Sequence, residues 1–150
     1  MSNLLATMDH SPSSEPLLRV DDLRQYFPVT AGLFRRQVGV VKAVDGVSFN
    51  LLPQQNLGLV GESGCGKTTL ARTILRLYKP TSGKIIFKDN DLTHLNSSAL
   101  RKLRPKMQMI FQDPQDSLNP RMTVGSIIAE PIDEHRNINK RERGRRVEEL

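Results

Sequence analysis

The stretch Gly61-Glu62-Ser63-Gly64-Cys65-Gly66-Lys67-Thr68-Thr69 constrains this chain more than any other, because residues 61–68 fit the phosphate-binding pattern G-x-x-x-x-G-K-[ST]. Its flanks supply the context that pattern requires. Asn56-Leu57-Gly58-Leu59-Val60 is a short apolar run that predicts a buried strand running up to Gly61. Downstream, Leu70, Ala71, Ile74 and Leu75 form an apolar helical stripe, with Arg72, Thr73 and Arg76 off it. Strand, glycine loop and helix in that order describe a nucleotide-binding α/β domain.

The residue types carry the chemistry. Glycines at 61, 64 and 66 let the backbone take positive φ and come close to an anion, so that successive N–H groups and the first helical turn point at phosphate oxygens. Lys67 adds a mobile positive charge near the β- and γ-phosphates, the Thr68 hydroxyl is the expected Mg²⁺ ligand, and Thr69 can donate to the α-phosphate. The plainer reading is a glycine-rich turn that only starts a helix. Coincidence of all four fixed positions in so short a chain weighs against it.

With 150 residues the chain is one domain or part of one, and 37% hydrophobic content with no Trp makes its core modest. A formal charge of +6 suits an anionic partner, but much of the excess comes from two local basic clusters and says little about the whole surface. The single cysteine, Cys65, cannot form an internal disulfide and lies in the glycine loop, where a small side chain is tolerated. Residues 1–16 hold no sustained apolar segment and read as a disordered N-terminal arm rather than a signal peptide. No run approaches the about 18 apolar residues that a spanning helix needs.

Leu17-Leu18-Arg19-Val20 predicts a strand, continued to Phe27 and ended in a turn by Tyr26-Phe27-Pro28. The aromatic pair can stack on a flat ligand or simply pack under the loop, and composition does not separate the two. Residues 30–39 read as a polar, basic surface loop. Residues 40–44 and 47–51 then read as two strands joined by an Asp45-Gly46 turn. After the loop's helix, Lys79-Pro80-Thr81-Ser82-Gly83 is a stop and turn. Residues 84–88 form a short strand closed by Asp89-Asn90, with Asn90 suited to a left-handed conformation. Ser97 or Ser98 is expected to cap a helix through Leu103 that Pro105 ends. Met107-Gln108-Met109-Ile110-Phe111 is a further strand running into Gln112-Asp113-Pro114, where polar residues at a strand end face a ligand crevice. Thr123 caps an apolar helix to Glu130 that Pro131 stops. In the basic tail, residues 136–150, Glu142 with Arg146 and Arg145 with Glu149 are spaced for helical ion pairs. A solvated helix therefore explains the tail better than a nucleic-acid patch, which lacks interleaved aromatics. His10, His94 and His135 have no ligand-like spacing.

A β-rich start, the loop Gly61 to Thr69 and a glutamine ending a later strand together resemble the ATP-binding subunits of ABC transporters. Three stretches resemble more closely the oligopeptide and dipeptide import branch: Ala43-Val44-Asp45-Gly46-Val47-Ser48-Phe49, Leu57 through Lys67, and Phe111-Gln112-Asp113-Pro114 through Arg121. That resemblance covers nearly the whole chain from Leu17 and implies an α/β P-loop NTPase of ABC type. In it an antiparallel β piece at the N-terminus is joined to part of a parallel-sheet core and the start of a helical subdomain, with residues 17–150 as the N-terminal part of one ATPase domain.

Residue by residue, the resemblance implies that Phe27 stacks on adenine and that Gly61, Glu62, Ser63, Gly64, Cys65, Gly66, Lys67, Thr68 and Thr69 hold the phosphates of ATP. Thr68 and Gln112 would hold Mg²⁺. Lys67 and Gln112 would be the catalytic groups present, Gln112 also sensing the membrane subunits. Phe27 stands where the family usually has Tyr, and Gln54 and Asn90 replace usual turn glycines. The implied partners are a homologous ATP-binding subunit in a head-to-tail dimer, integral membrane permease subunits and, through them, a peptide-binding protein. No nucleic acid is expected, and the implied location is the cytoplasmic side of the inner membrane, peripherally. The family's signature segment, second acidic strand end and switch histidine are not found in residues 1–150. A chain of only these residues is expected to end within the helical subdomain and to be inactive alone. It would then be a nucleotide-binding remnant or regulator at most.

Overall fold

The computed structural model describes residues 15–32, 36–111, 118–136 and 138–150. The chain divides into two compact units, 1–95 and 96–150.

The first unit is an antiparallel sheet with one helix. Strand β1 (Leu18–Ala31) pairs with β2 (Arg36–Leu51) on one side and with β3 (Ser82–Phe87) on the other; β3 pairs in turn with β4 (Asn90–Asp91). Helix α1 (Lys67–Ile74) follows the glycine loop and buries Leu70 and Thr73. Val20, Leu23, Val44, Ile85, Phe87 and Leu92 complete the core, of which Leu23, Ile85 and Leu92 are fully buried. Each such side chain contributes about 1.5–3 kcal/mol relative to exposure.

The β-rich start is present, but its strands are longer than the sequence predicts. Tyr26-Phe27-Pro28 does not end β1. The strand continues to Ala31, with Pro28 opposite Val40, beyond Arg24, the last β1 residue paired with β3. One flank of β1 is free there, so a residue without an N–H is tolerated. Of the expected loop over residues 30–39, residues 30–31 and 36–39 belong instead to the distal part of the β1–β2 hairpin, Thr30 pairing with Gln37 and Ala31 with Arg36, while residues 33–35 lie outside the described residues. Asp45-Gly46 is not a hairpin turn either. Leu23 pairs with Val47 and Arg24 with Asp45, leaving Gly46 as an extra residue at φ +79°, a bulge inside one strand. A second irregularity falls at Asp22, whose φ is +42° and whose N–H donates to Ser48 Oγ at 2.8 Å.

The β3–β4 turn also differs. Lys88 (φ +45°) and Asp89 (φ +64°), not Asn90, are left-handed. With Phe87 paired to Asn90, two left-handed residues make the mirror-image turn that fits the twist of a two-residue hairpin. Asn90 serves through its side chain, Nδ2 donating to Lys88 O at 2.6 Å. Gln54 does take the positive φ (+61°) of a turn glycine, after Pro53, and Gln55 N donates to Leu52 O at 3.2 Å.

Two segments expected to be strands have no ladder among the described residues: residues 56–60 and 107–111. Val60 is 97% exposed and Ile110 93% exposed. Both are near-continuous apolar runs of the kind that parallel strands show when sheet neighbours and helices cover them. Without a hydrogen-bonding neighbour at this point the backbone has no ladder to join, and apolar sequence alone does not make a strand.

The second unit is helical. Helix α2 (Ser97–Leu103) is capped by Asn96, whose Oδ1 accepts from Ala99 N at 2.9 Å, one position before the expected serines, and a short 3₁₀ turn follows over Arg104–Lys106. Helix α3 (Val124–His135) is capped by Thr123 as expected, but it runs through Pro131. Its apolar stripe continues past the proline to the buried Ile132, and that burial offsets the one hydrogen bond the proline removes. Helix α4 (Lys140–Glu149), the predicted solvated helix, buries no residue. Arg145 pairs with Glu149 at 3.9 Å as its spacing predicts, whereas Arg146 turns to Glu149 at 2.9 Å. Arg143 grips Asp133 of α3 as a fork, at 2.6 and 2.8 Å.

Two outcomes follow from these geometries. Replacing Lys88-Asp89 by Asn-Gly, the residues that favour both left-handed positions, should raise stability by about 1 kcal/mol, seen as a Tm about 2–4 °C higher. The Arg143 hydrogen bonds hold the Asp133 carboxyl below its ordinary value. Its folded pKa being depressed, the contact stabilises above the unfolded carboxylate value and is lost as pH falls through the folded one. Amide shifts of α4 should therefore move toward coil on acidification below about pH 4, and Asp133→Asn should remove that transition.

Candidate phosphate-binding loop

The loop is built from one turn and one helix start. Cys65 N donates to Glu62 O at 3.3 Å, closing a turn whose third residue, Gly64, has φ +79°, and Leu70 N donates to Gly66 O at 2.8 Å to open α1. Gly66 sits at φ +97°, and a Cβ there would lie 2.1 Å from the carbonyl oxygen of Ala43 on β2. No other residue type fits this contact, which brings the start of α1 against the β2 backbone.

Helix α1 differs from the other three at its N-terminus. Asn96, Thr123 and Asn139 cap α2, α3 and α4 with side-chain oxygens, while Gly66 offers α1 no side-chain cap, and no acidic residue stands in its first turn. The leading N–H groups of α1 and the positive end of its dipole thus have no anionic side chain of their own. Such a terminus can accept an anion.

Lys67 lies across the same loop. Its Nζ donates to Gly61 O and Glu62 O, both at 2.7 Å, and is 3.6 Å from Cys65 Sγ. The ammonium is held by the carbonyls of its own loop, so a positive charge stands within the turn. Gly61 leaves room for Cys65, since a Cβ at 61 would stand 2.7 Å from Sγ. The Thr68 side chain is exposed, and Thr69 O accepts from the buried Thr73 Oγ1 at 2.7 Å, which ties the first turn to the helix. Among the described residues no cluster of three or more His, Cys, Asp or Glu could hold a metal ion. The available donor is the Thr68 hydroxyl, which fits a Mg²⁺ that takes most of its ligands from phosphate and water.

Phe27 is half-buried on β1 and meets Tyr78 edge to face, with ring centroids 5.4 Å apart. Tyr78 was not expected from the sequence, and only its position after α1 hints at it. Arg72 Nη1 donates to its hydroxyl at 3.3 Å, while Thr81 accepts from Tyr26 N and donates to Arg24 O, both at 2.9 Å, so residues 78–81 lie along β1. Tyr26, the other half of the aromatic pair, points elsewhere: its hydroxyl donates to Asp45, and Lys42 Nζ stands 5.4 Å from its ring centroid. The bond to Asp45 raises the Tyr26 phenol and lowers the Asp45 carboxyl from their ordinary values. Gln112, with Asp113 and Pro114, lies outside the described residues. The loop residues 61–69 are therefore together, Phe27 is placed against Tyr78, and Gln112 is not described.

Comparison with known proteins adds sequence relatives and a shared fold. Residues 44–150 match the family described as ABC transporter. The chain is 55% identical over 139 residues to the oligopeptide transport ATP-binding protein AppF of Bacillus subtilis, covering 92% of this chain and 42% of that protein. It is 43% identical over 129 residues to the dipeptide transport ATP-binding protein DppF of Escherichia coli, covering 86% of this chain and 38% of that protein. The chain thus spans about two-fifths of the length of these relatives. Among solved structures, the dimeric bacterial ABC transporter cassette MJ0796 superposes with a TM-score of 0.70 at 23% identity, covering 88% of this chain and 54% of that one, and so shares its fold.

Gly66→Ala should destabilise the protein by more than about 1–2 kcal/mol, since it adds a backbone clash to the cost of a left-handed residue. Chemical denaturation checks this. Gly64→Ala, where the space beyond the backbone is open, should cost less.

Proposed function

The chain belongs to the ABC transporter family, and from that premise we propose that it is the nucleotide-binding part of an ATPase subunit that powers peptide import. The observation that carries this reading is the side-chain-uncapped N-terminus of α1 beneath a glycine loop that already holds the Lys67 ammonium. The names of the relatives, oligopeptide and dipeptide transport ATP-binding proteins, support peptides as the cargo class.

Mg²⁺-ATP supplies the phosphoanhydride whose cleavage is coupled to transport. Toward it, the amides of Gly64, Cys65, Gly66, Lys67, Thr68 and Thr69 donate to phosphate oxygens, with Gly61, Glu62 and Ser63 shaping the turn. Lys67 brings its charge to the β- and γ-phosphates, and Thr68 offers its hydroxyl to the metal. Phe27 presents an aromatic ring to adenine. Gln112 is assigned to the metal, the surroundings of the attacking water and the link to the membrane subunits. These are positioning and electrostatic roles, the terms on which phosphoryl transfer mainly depends.

The partners we assign are a homologous ATP-binding subunit in a head-to-tail dimer, integral membrane permease subunits and, indirectly, a peptide-binding protein. The place is the cytoplasmic face of the inner membrane. Among the described residues no helix is long and apolar enough to cross a membrane, which fits a peripheral position.

Lys67→Ala removes a charge-assisted donor that is worth about 1.5–3 kcal/mol. ATP affinity by calorimetry should fall about 10- to 150-fold, with the fold retained by circular dichroism. An unchanged affinity in a folded variant overturns the assignment of the loop.

A further inference from the structure

The C-terminus of α1 closes on a residue whose backbone is strained. Arg76 sits at φ +55°, with Arg76 N donating to Thr73 O and Leu77 N to Arg72 O, both at 2.9 Å. These paired bonds finish a helix on a left-handed residue, a position that glycine takes readily and that a side chain takes only against its own Cβ. The reach of the side chain accounts for an arginine there. Its Nε donates to Leu92 O at 2.7 Å and its Nη2 to Leu95 O at 3.4 Å. A strained residue persists where its surroundings hold it, and here they include two backbone carbonyls that a glycine could not touch.

The segment that Arg76 grips is itself fixed to the sheet. Leu92 is fully buried and its N–H donates to Ile85 O at 2.8 Å, while Thr93 Oγ1 accepts from Ile85 N at 2.9 Å. Arg76 therefore ties the far end of α1 to a segment anchored on β3, and the near end of α1 is the phosphate loop. About two turns separate them. Along those turns Thr73 Oγ1 donates to Thr69 O at 2.7 Å, and Thr73 O takes the Arg76 N–H. Eight residues are too few for a helix to hold itself in water, so whatever binds either end stabilises the same helix. An anion that gathers the first-turn N–H groups and a guanidinium that clasps the other end are thus linked, and the linkage is reciprocal.

We propose that Arg76 is a positioning residue for the phosphate loop: its clasp on the Leu92 and Leu95 carbonyls holds α1 in the conformation that receives a nucleotide phosphate, and phosphate binding in turn tightens the clasp. Arg76 touches no phosphate in this role. The proposal rests on the reading of residues 61–69 as a nucleotide site and adds to that site a residue outside its motif.

Nuclear magnetic resonance of the whole chain, titrated with Mg²⁺-ATP, reads both ends of α1 at once. The loop amides of residues 64–69 report occupancy, and the Arg76 Nε–H with the carbonyl carbons of Leu92 and Leu95 reports the clasp. All of them should shift along one binding curve. In Arg76→Gly, which keeps the left-handed turn and removes the guanidinium, the loop amides should still titrate with an affinity lower by at least about 5-fold, and the two carbonyls should lose their response. Arg76→Lys, which restores a charged donor, should recover part of that affinity. A residue that only stabilised the fold would lower the melting temperature without making the carbonyls follow the nucleotide. Carbonyls that stay silent in the unaltered chain while the loop amides titrate overturn the clasp, as does an unchanged affinity in Arg76→Gly. Loop amides that do not titrate in the unaltered chain overturn the nucleotide reading, and the coupling with it. Should Arg76→Gly not fold, Arg76→Asn, also at ease in the left-handed region but too short to reach the carbonyls, carries the same expectation.

Discussion

The close approach of Gly66 to the carbonyl of Ala43 is the contact on which the first unit's arrangement depends. It sets the start of α1 against β2 and places Leu70 and Thr73 over the buried face of β1 and β2. A side chain at 66 would push the helix away from that face. Leu70 and Thr73 would then lose their buried seat and the loop its anchor. The same glycine is the residue that leaves the helix without a side-chain cap. Packing and anion acceptance thus come from one missing Cβ.

How much of this was legible in the sequence depended on how local the cause was. The glycine loop, the helix after it, the Thr123 cap and the Arg145–Glu149 pair were all readable, because each is decided within a few residues. The family followed from the same stretches. The α2 cap and the β3–β4 turn were missed by one or two residues within local sequence, whereas the larger errors share one cause, which is a distant partner. Asp45-Gly46 looks like a turn until Leu23 and Arg24 lie opposite and show it to be a bulge. Pro28 looks like a strand end until β3 is seen to stop short of it. Pro131 looks like a helix stop until the burial of Ile132 is known. Of the site, Lys67 and its neighbours were found from the motif, but the Phe27–Tyr78 contact joins residues 51 apart and has no local signal.

The second unit is organised differently from the first. Among the described residues its buried apolar ones are Leu100, Ala129 and Ile132, and its helices are tied also by charge: Arg101 to Glu134 at 2.9 Å and the Arg143 fork to Asp133. Exposed pairs of this kind are screened by salt and add little each. Helix α4 in particular keeps its place through geometry of charges rather than apolar burial, whereas α1 is held by its buried stripe. A region held this way opens at lower cost than one held by apolar burial.

The apolar segments at 56–60 and 107–111 join no ladder among the described residues, and Val60 and Ile110 stand exposed. Extended apolar backbone of this kind is a template on which another strand can add. In solution the consequence is a concentration-dependent tendency of this polypeptide to associate through those two segments.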